Sequence, residues 1–443
     1  MLDFLILYEH KVRELDNICL LKSELEKRGY SVEFHQIDAL KRLKFFLAKK
    51  PKVVLGTALA NNKRINDYVY STVGSIKKIV NLQLEQVISP KWESTNVFIP
   101  TGDGLKITHI CWGKESYERL IKYGVRNAVI CGAIQTDFFR NEFFDYYSEK
   151  EEIFTEFNLD DKKRTVLYIS SFSPTTMTEE EYDYYEKLGG VKLDDLRNTF
   201  MESKVETISW IEIFLRQYPN IVFIYRPHPN EREDLKLKTL EEEYSNFRVI
   251  SNLSVKQWIK IVDKVYTWIS TSIVEAYFAS VHCEIIRPIG VPEYIDIPFY
   301  KNSRQIRTLE DFLASANVDS NINPLNEEEI WHRYDYNYNK PSFKRICDLL
   351  EEVYNTKKYD LKPDIPLKVM IRNYGRVIIQ EIIYRNDLLN PNKISGIPFS
   401  GIRKYLKWTN KDGNKHGNKE FLGNKEVENA LNNSRKVVDR YFD

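Results

Sequence analysis

This chain lacks an excess of charge of either sign: over 443 residues the formal net charge is +1, although 29% of residues are charged. A bulk nucleic-acid binder carries a strong basic excess, so no nucleic-acid partner is expected. Cysteine is sparse. The five cysteines stand at 19, 111, 131, 283 and 347 with no Cys-x-x-Cys pair. That pattern fits buried small hydrophobes in a reducing compartment, not a disulfide frame or a zinc site. The seven histidines are dispersed and no Asp-x-Asp follows a strand, so no metal site is expected. No run approaches the roughly 18 apolar residues of a spanning helix. The opening Met1-Leu-Asp-Phe-Leu-Ile-Leu-Tyr has no basic leader or cleavage site, and Asp3 and Glu9 bracket its short apolar run. It reads as a strand and not a signal peptide, which makes the expected location cytoplasmic.

What is present is enough apolar residue, 42%, for two α/β domains and an extension. Aromatics reach 13%, with 28 Tyr and 23 Phe, which leaves some for stacking on bases or sugars. Residues 1–150 alternate strand and helix: strands at 2–8, 31–35, 51–56, 77–84, 108–112 and 128–131, with helices at 12–27, 39–48, 62–73 and 114–123. Such alternation predicts a parallel, doubly wound sheet. Residues 139–163 are aromatic and acidic and read as a helix-rich linker. A second series of strands runs from 164 to 287. Within it, residues 174–194 read as a long loop, a lid or acceptor-facing insert. Helices are expected at 341–354 and 366–384. The polar, low-complexity stretch after Lys404 reads as a solvated tail; its lysines 404, 407, 411 and 415, beside Tyr405 and Trp408, give a second reading as peripheral membrane contact. The expected division is 1–138, 139–163 as linker, 164–360, and 361–443 as helical extension and tail.

Two stretches carry the chemistry. Residues 221–229 read Ile-Val-Phe-Ile-Tyr-Arg-Pro-His-Pro. Five apolar or aromatic residues make a buried strand, and two prolines stop it. Arg226 and His228 are thereby left at a carboxyl strand end, where open α/β sheets bind ligands. Residues 265–279 read as a strand, then Ser270, Thr271 and Ser272, then a helix with Glu275. Hydroxyls at a helix start suit a phosphate; they equally suit an N-cap. His228 is open to a plain strand-end role, and Arg226 to pairing with a carboxylate. Glu275 sits among apolar neighbours, where a carboxylate needs a partner. Ser170 and Ser171, with Ser173, end the strand that opens the second series. Glu85 follows an apolar strand and is the candidate base, with a plain loop glutamate as the alternative. Glu9 and His10, at the end of the first strand, are a second pair for substrate. Asp103, in Thr101-Gly-Asp-Gly, reads as a turn. Gly132 lets backbone approach a ligand closely. His109 and Trp112 read as structural.

These motifs, in this order, resemble the GT-B glycosyltransferases over residues 1–360. The Arg-Pro-His-Pro strand and the Ser-Thr-Ser…Glu-Ala unit are similar to the HP and Ser/Thr motifs of bacterial capsule and surface-polysaccharide transferases, the polysialyl-, Kdo- and CDP-glycerol-transferase-like enzymes. Residues 7–16, 81–86 and 109–113 are similar to surface carbohydrate biosynthesis proteins. The resemblance implies two Rossmann-like domains facing a cleft, and a nucleotide-sugar as substrate with no cofactor. A CMP-sugar is the first donor expected, a UDP- or GDP-sugar the next, and the acceptor a glycan or glycolipid. It implies that His228 contacts the donor phosphate or acts as general acid, that Ser270, Thr271 and Ser272 bond the phosphate, that Glu275 binds ribose, and that an acidic base comes from the N-terminal domain. The acidic-acidic-Gly motif of polysialyltransferases has no clean match. A CDP-polyol phosphotransferase, a sugar-nucleotide epimerase and a non-catalytic scaffold subunit are the alternatives. Metal-independent transfer and closure of the domains about the linker complete the expectation.

Overall fold

A computed structural model describes residues 2–9, 11–37, 43–83, 85–95, 98–189, 192–300, 303–318, 324–363, 365–385 and 424–441. The chain divides into two compact units, one of residues 1–84, 99–134 and 337–443, the other of 85–98 and 135–336. Each is built on a six-stranded parallel sheet.

In the first unit the strands are β1 (Leu2–Tyr8), β2 (Val32–Gln36), β3 (Pro51–Gly56), β4 (Ile79–Asn81), β5 (Thr108–Cys111) and β6 (Asn127–Ile130). Their spatial order is β2-β1-β3-β4-β5-β6. In β1 and β3 nearly every residue is buried, as both faces of a doubly wound sheet are covered by helices. The second unit holds β7 (Thr165–Ile169), β8 (Val222–Arg226), β9 (Phe247–Val249), β10 (Lys264–Thr267), β11 (His282–Ile286) and β12 (Gln305–Ile306). Their order is β12-β11-β10-β7-β8-β9, the dinucleotide-fold order when read from the far edge. The strand order reverses between β1 and β3 in one sheet and between β7 and β10 in the other. At such a reversal the crossover connections leave on opposite faces and open a crevice at the carboxyl strand ends.

Several expectations need correction. The 174–194 stretch is not a loop: a 3-10 turn (Ser173–Thr176) and a helix (Glu179–Gly189) fill most of it. Buried Tyr182 donates its hydroxyl to Pro174 O, and Arg232 forks onto Glu181 at 2.8 Å. Tertiary contacts hold a helix that has no apolar stripe of its own. Residues 139–163 pack as part of the second unit, where Phe138, Phe143 and Tyr146 form a buried aromatic cluster. Beyond 301 the chain adds strand β12 before turning helical. The helix Ser342–Asn355 packs on the helix Lys11–Lys27, with Arg28 bridging Glu24, Asp348 and Glu351. Residues 342–355 therefore pack with the first sheet, not the second. The chain end is no solvated tail over Asn424–Arg440: that helix buries Ala430, Ser434, Val437 and Val438 at helical spacing and packs on Lys11–Lys27. Residues 404–423, with the lysines of the second, membrane-contact reading, lie outside the described residues. All five cysteines are free and buried. Among the described residues, no helix is long and apolar enough to cross a membrane.

Candidate functional site

The strand-order reversal of the second unit places the ends of β7 and β10 side by side, with Ile169 paired to Thr267. Ser170 and Ser171 continue β7, and Ser270, Thr271 and Ser272 follow β10. The neighbouring β8 pairs Arg226 with Ile169, so the Arg-Pro-His-Pro turn leaves the same end of the sheet. The structure thus gathers Ser170, Ser171, Arg226, His228, Ser270, Thr271, Ser272 and Glu275 at one sheet end.

Glu85 joins them. It was expected to serve from the N-terminal domain, but its segment, 85–98, belongs to the second unit. Thr271 Oγ1 donates to Glu85 Oε2 at 3.3 Å, and Glu85 Oε1 accepts from Val87 N at 3.3 Å. Buried Tyr334 lies near both acids: its phenol is pushed well above the usual range by burial, with Glu85 and then Glu275 adding to the effect.

The Ser-Thr-Ser turn is clamped from outside the motif. Tyr300, fully buried, accepts from Ser270 N at 3.0 Å and donates to Ser270 O at 2.8 Å. The segment leading to Tyr300 is pinned by a buried ion pair, in which Arg287 Nη2 donates to Asp296 Oδ1 at 2.7 Å and Arg287 Nε to Trp268 O at 3.1 Å. Ser270 Oγ accepts from Ser272 N at 3.2 Å, closing a turn onto the helix Ser272–Phe278. The capping role and the exposure of hydroxyls are thus divided: Ser270 holds the turn, while Thr271 reaches Glu85.

Glu275 is the electrostatic centre. Its Oε2 is sealed from solvent and has no hydrogen-bond partner. Burial raises its carboxyl to about 7, against the pull of Lys256, a Ser272 hydrogen bond and Arg226. A buried acceptor without a donor is costly, so this oxygen is poised for an incoming O–H or N–H. Ser171 Oγ is likewise buried without a partner.

Two expected ligand residues have partners inside the fold. Arg226 is buried, and its guanidinium donates to Asn252 O at 2.7 Å and to Leu253 O. Leu253 holds a left-handed φ of +62°, a conformation rare for a branched side chain. Burial lowers the Arg226 guanidinium to about 10, with Glu275 working the other way. Arg226 therefore organises the 252–253 loop and offsets the Glu275 charge. Ser170 Oγ donates to Glu231 Oε2 at 2.6 Å and accepts from Phe172 N at 3.2 Å, with Tyr225 Oη 2.9 Å away. The hydroxyl proton is thus engaged by Glu231 inside the fold.

Glu231 was missed by the sequence reading, although a signal exists. Two prolines deprive the 226–229 turn of donors, and an acid three residues after His228 can serve those that remain. Its carboxylate accepts from His228 N at 3.2 Å, Tyr225 Oη at 3.0 Å and Ser170 Oγ, with Lys204 at 3.4 Å. His228 Nδ1 accepts from Asn230 N at 3.1 Å. In the neutral ring this puts the proton on Nε2, since the other nitrogen is an acceptor.

The remaining sites belong to the first unit. Glu9 N donates to Glu14 Oε2 at 3.2 Å, at the end of β1; His10 lies outside the described residues. Gly132 takes a φ of +83°, which explains a glycine there. Asp103 is buried and accepts from Tyr70 Oη at 2.8 Å. His109, expected as structural, is sealed in: Asn81 Nδ2 lies 3.1 Å from Nδ1 and Gly104 O 2.7 Å from Nε2, and burial depresses the ring to about 4. Among the described residues no three His, Cys, Asp or Glu cluster as a metal site.

No protein-family model matches this chain, and no curated protein sequence matches it. Solved structures do. A variant of the wall teichoic acid polymerase TagF superposes with a TM-score of 0.51 at 12% identity, over 80% of this chain and 89% of that one. UDP-GlcNAc 2-epimerase from Neisseria meningitidis, bound to UDP-GlcNAc, gives 0.48 at 11% identity over 79% and 100%. The UDP-GlcNAc 2-epimerase from Methanocaldococcus jannaschii gives 0.45 at 13% over 79% and 100%. The likeness to TagF, together with the two parallel sheets, establishes the fold: α/β of the GT-B class, two doubly wound units with a helical C-terminal extension.

Proposed function

We propose that the chain transfers a sugar from a nucleotide-activated donor to a hydroxyl of a glycan or glycolipid, in the synthesis of a bacterial surface polysaccharide. The observation that carries this reading is the pairing of the Ser270–Ser272 turn with Glu275 Oε2, at the strand-order reversal of the second sheet. A ribose diol supplies the O–H donors that Glu275 Oε2 and its buried surroundings call for. A phosphate accepts from serine hydroxyls, for which Ser171 and Ser270 are placed.

In this reading the acceptor O–H gives its proton to Glu85 as its oxygen bonds the anomeric carbon. The bond from that carbon to the nucleotide phosphate breaks, and the phosphate leaves with the electron pair. His228 meets the developing charge as a neutral donor through Nε2–H, a hydrogen bond aimed where charge grows. The general-acid role is less favoured, because a proton on Nδ1 would face the Asn230 N–H.

A thermal-shift panel of CMP, CDP, UDP, GDP and their sugar conjugates tests this. One nucleotide class at saturating concentration raises the midpoint by a few degrees, as expected from RT ln(1 + [L]/Kd), and the shift shrinks in E275Q. The donor that binds is then incubated with and without acceptor. Nucleotide release that needs the acceptor supports transfer. Epimerised donor without acceptor, a transferred phosphopolyol, or binding without turnover would replace the reading by an epimerase, a phosphotransferase or a scaffold. EDTA leaves the transfer rate unchanged; loss restored by magnesium or manganese would remove the metal-independent part.

A further inference from the structure

The helix Leu367–Arg385 of the first unit has three sectors. At 100° per residue, Val369, Asn373 and Val377 share one side. Asn373 and Val377 are buried, and the helix packs there on the segments Ser71–Val73 and Leu43–Leu47. Lys368, Arg372 and Arg376 form a row at i, i+4 and i+8, all exposed. The third sector carries Leu367, Met370, Ile371 and Tyr374, which are exposed too, Leu367 at 71% and Ile371 at 65%. Beside this sector opens a pocket of about 370 Å³, lined by Tyr70, Val73, Ile365, Met370, Ile371 and Tyr374 among others.

We propose that this face docks on an anionic lipid surface, with the apolar sector and its pocket taking up acyl chain and the cationic row meeting headgroup phosphates. An exposed apolar stripe flanked by cations is the arrangement of an interfacial helix. The charge is concentrated in this part of the sequence: residues 367–415 hold ten lysines and arginines against three acids, in a chain whose net charge is +1. A second copy is a poorer occupant. A two-fold contact would set the same patch against itself and bring two cationic rows together, whereas anionic lipid neutralises the row. The inference does not depend on the transfer reaction.

Vesicle flotation of the full chain tests it. Mixed phosphatidylcholine–phosphatidylglycerol vesicles bind the protein, phosphatidylcholine alone does not, and raised salt weakens binding. I371D and, separately, K368E/R372E each lower the fraction bound about tenfold or more. Both variants change exposed residues and keep the wild-type melting midpoint. Equal binding to neutral and anionic vesicles, or binding to neither, would overturn the inference. So would retention of binding in both variants while K404E/K407E/K411E abolishes it. A wild-type dimer that I371D converts to monomer, with no vesicle binding, would assign the face to a second copy instead.

Discussion

Glu275 is a carboxylate that the fold holds where ionisation is unfavourable. Its carboxyl is raised from 4.5 to about 7 by burial, so the folded chain holds this proton more tightly than the unfolded chain does. Stability from this group is greatest below about pH 4.5 and falls as pH rises to about 7. E275Q removes that penalty: at about pH 8 it is expected to be more stable than wild type by roughly 2–3 kcal/mol, the gap closing toward acid pH. Urea unfolding at several pH values reads this, and a variant destabilised at alkaline pH would contradict it. The same change weakens nucleotide binding, so stability and affinity move in opposite directions. His228 makes a second prediction. A glutamine amide nitrogen can stand where Nε2–H stands, so H228Q keeps most nucleotide affinity and a measurable rate, while H228A loses roughly tenfold or more in rate. Equal loss in both, with a rate profile that follows an acid group, would restore the general acid. At this scale the strand-end placement of His228, the Ser-Thr-Ser unit and Glu275 was legible from residue type and pattern, while the unit to which Glu85 belongs was not. The internal partners of Arg226 and Ser170 were not legible for a physical reason: position at a strand end says which edge a residue occupies, not which partner takes its side chain. Tyr300 and Asp296 gave no local signal, since each acts on a turn some thirty residues away or on Arg287.

At the scale of elements, two turns carry the site, and each is braced by residues outside it. Tyr300 satisfies both backbone polar groups of Ser270. Y300F strips the N–H and the carbonyl of that partner, so it lowers stability by about 1–3 kcal/mol and weakens nucleotide binding without touching the ligand. Both members of the Arg287–Asp296 pair are buried. Removing one partner leaves an uncompensated buried charge, so D296A is expected to cost about 3–5 kcal/mol in urea unfolding; a loss under about 1 kcal/mol would mean that water reaches the pair. Strands were the most legible elements, since continuous apolar runs between turn residues have few other readings. The helix Glu179–Gly189 was not, because its acidic, tyrosine-rich sequence has no stripe and depends on Arg232, Arg197 and Pro174. The helix Asn424–Arg440 did show its pattern, at 427, 430, 434, 437 and 438, but the Gly-Asn-Lys repeats before it masked the change of composition.

For the whole molecule, the two sheets have different strand orders, and so two separate reversals where ligands can collect. The α/β class was readable from alternation alone, while the packing of the C-terminal helices on the first sheet was not, since it joins residues over three hundred positions apart. In the proposed function the nucleotide sits at the reversal of the second sheet. Hydrogen exchange of the full chain, with and without the saturating nucleotide found by thermal shift, tests it most directly. The account predicts slower exchange at 169–172, 228–231 and 268–276 on binding. Protection confined to 8–11 and 56–59, at the reversal of the first sheet, would contradict it.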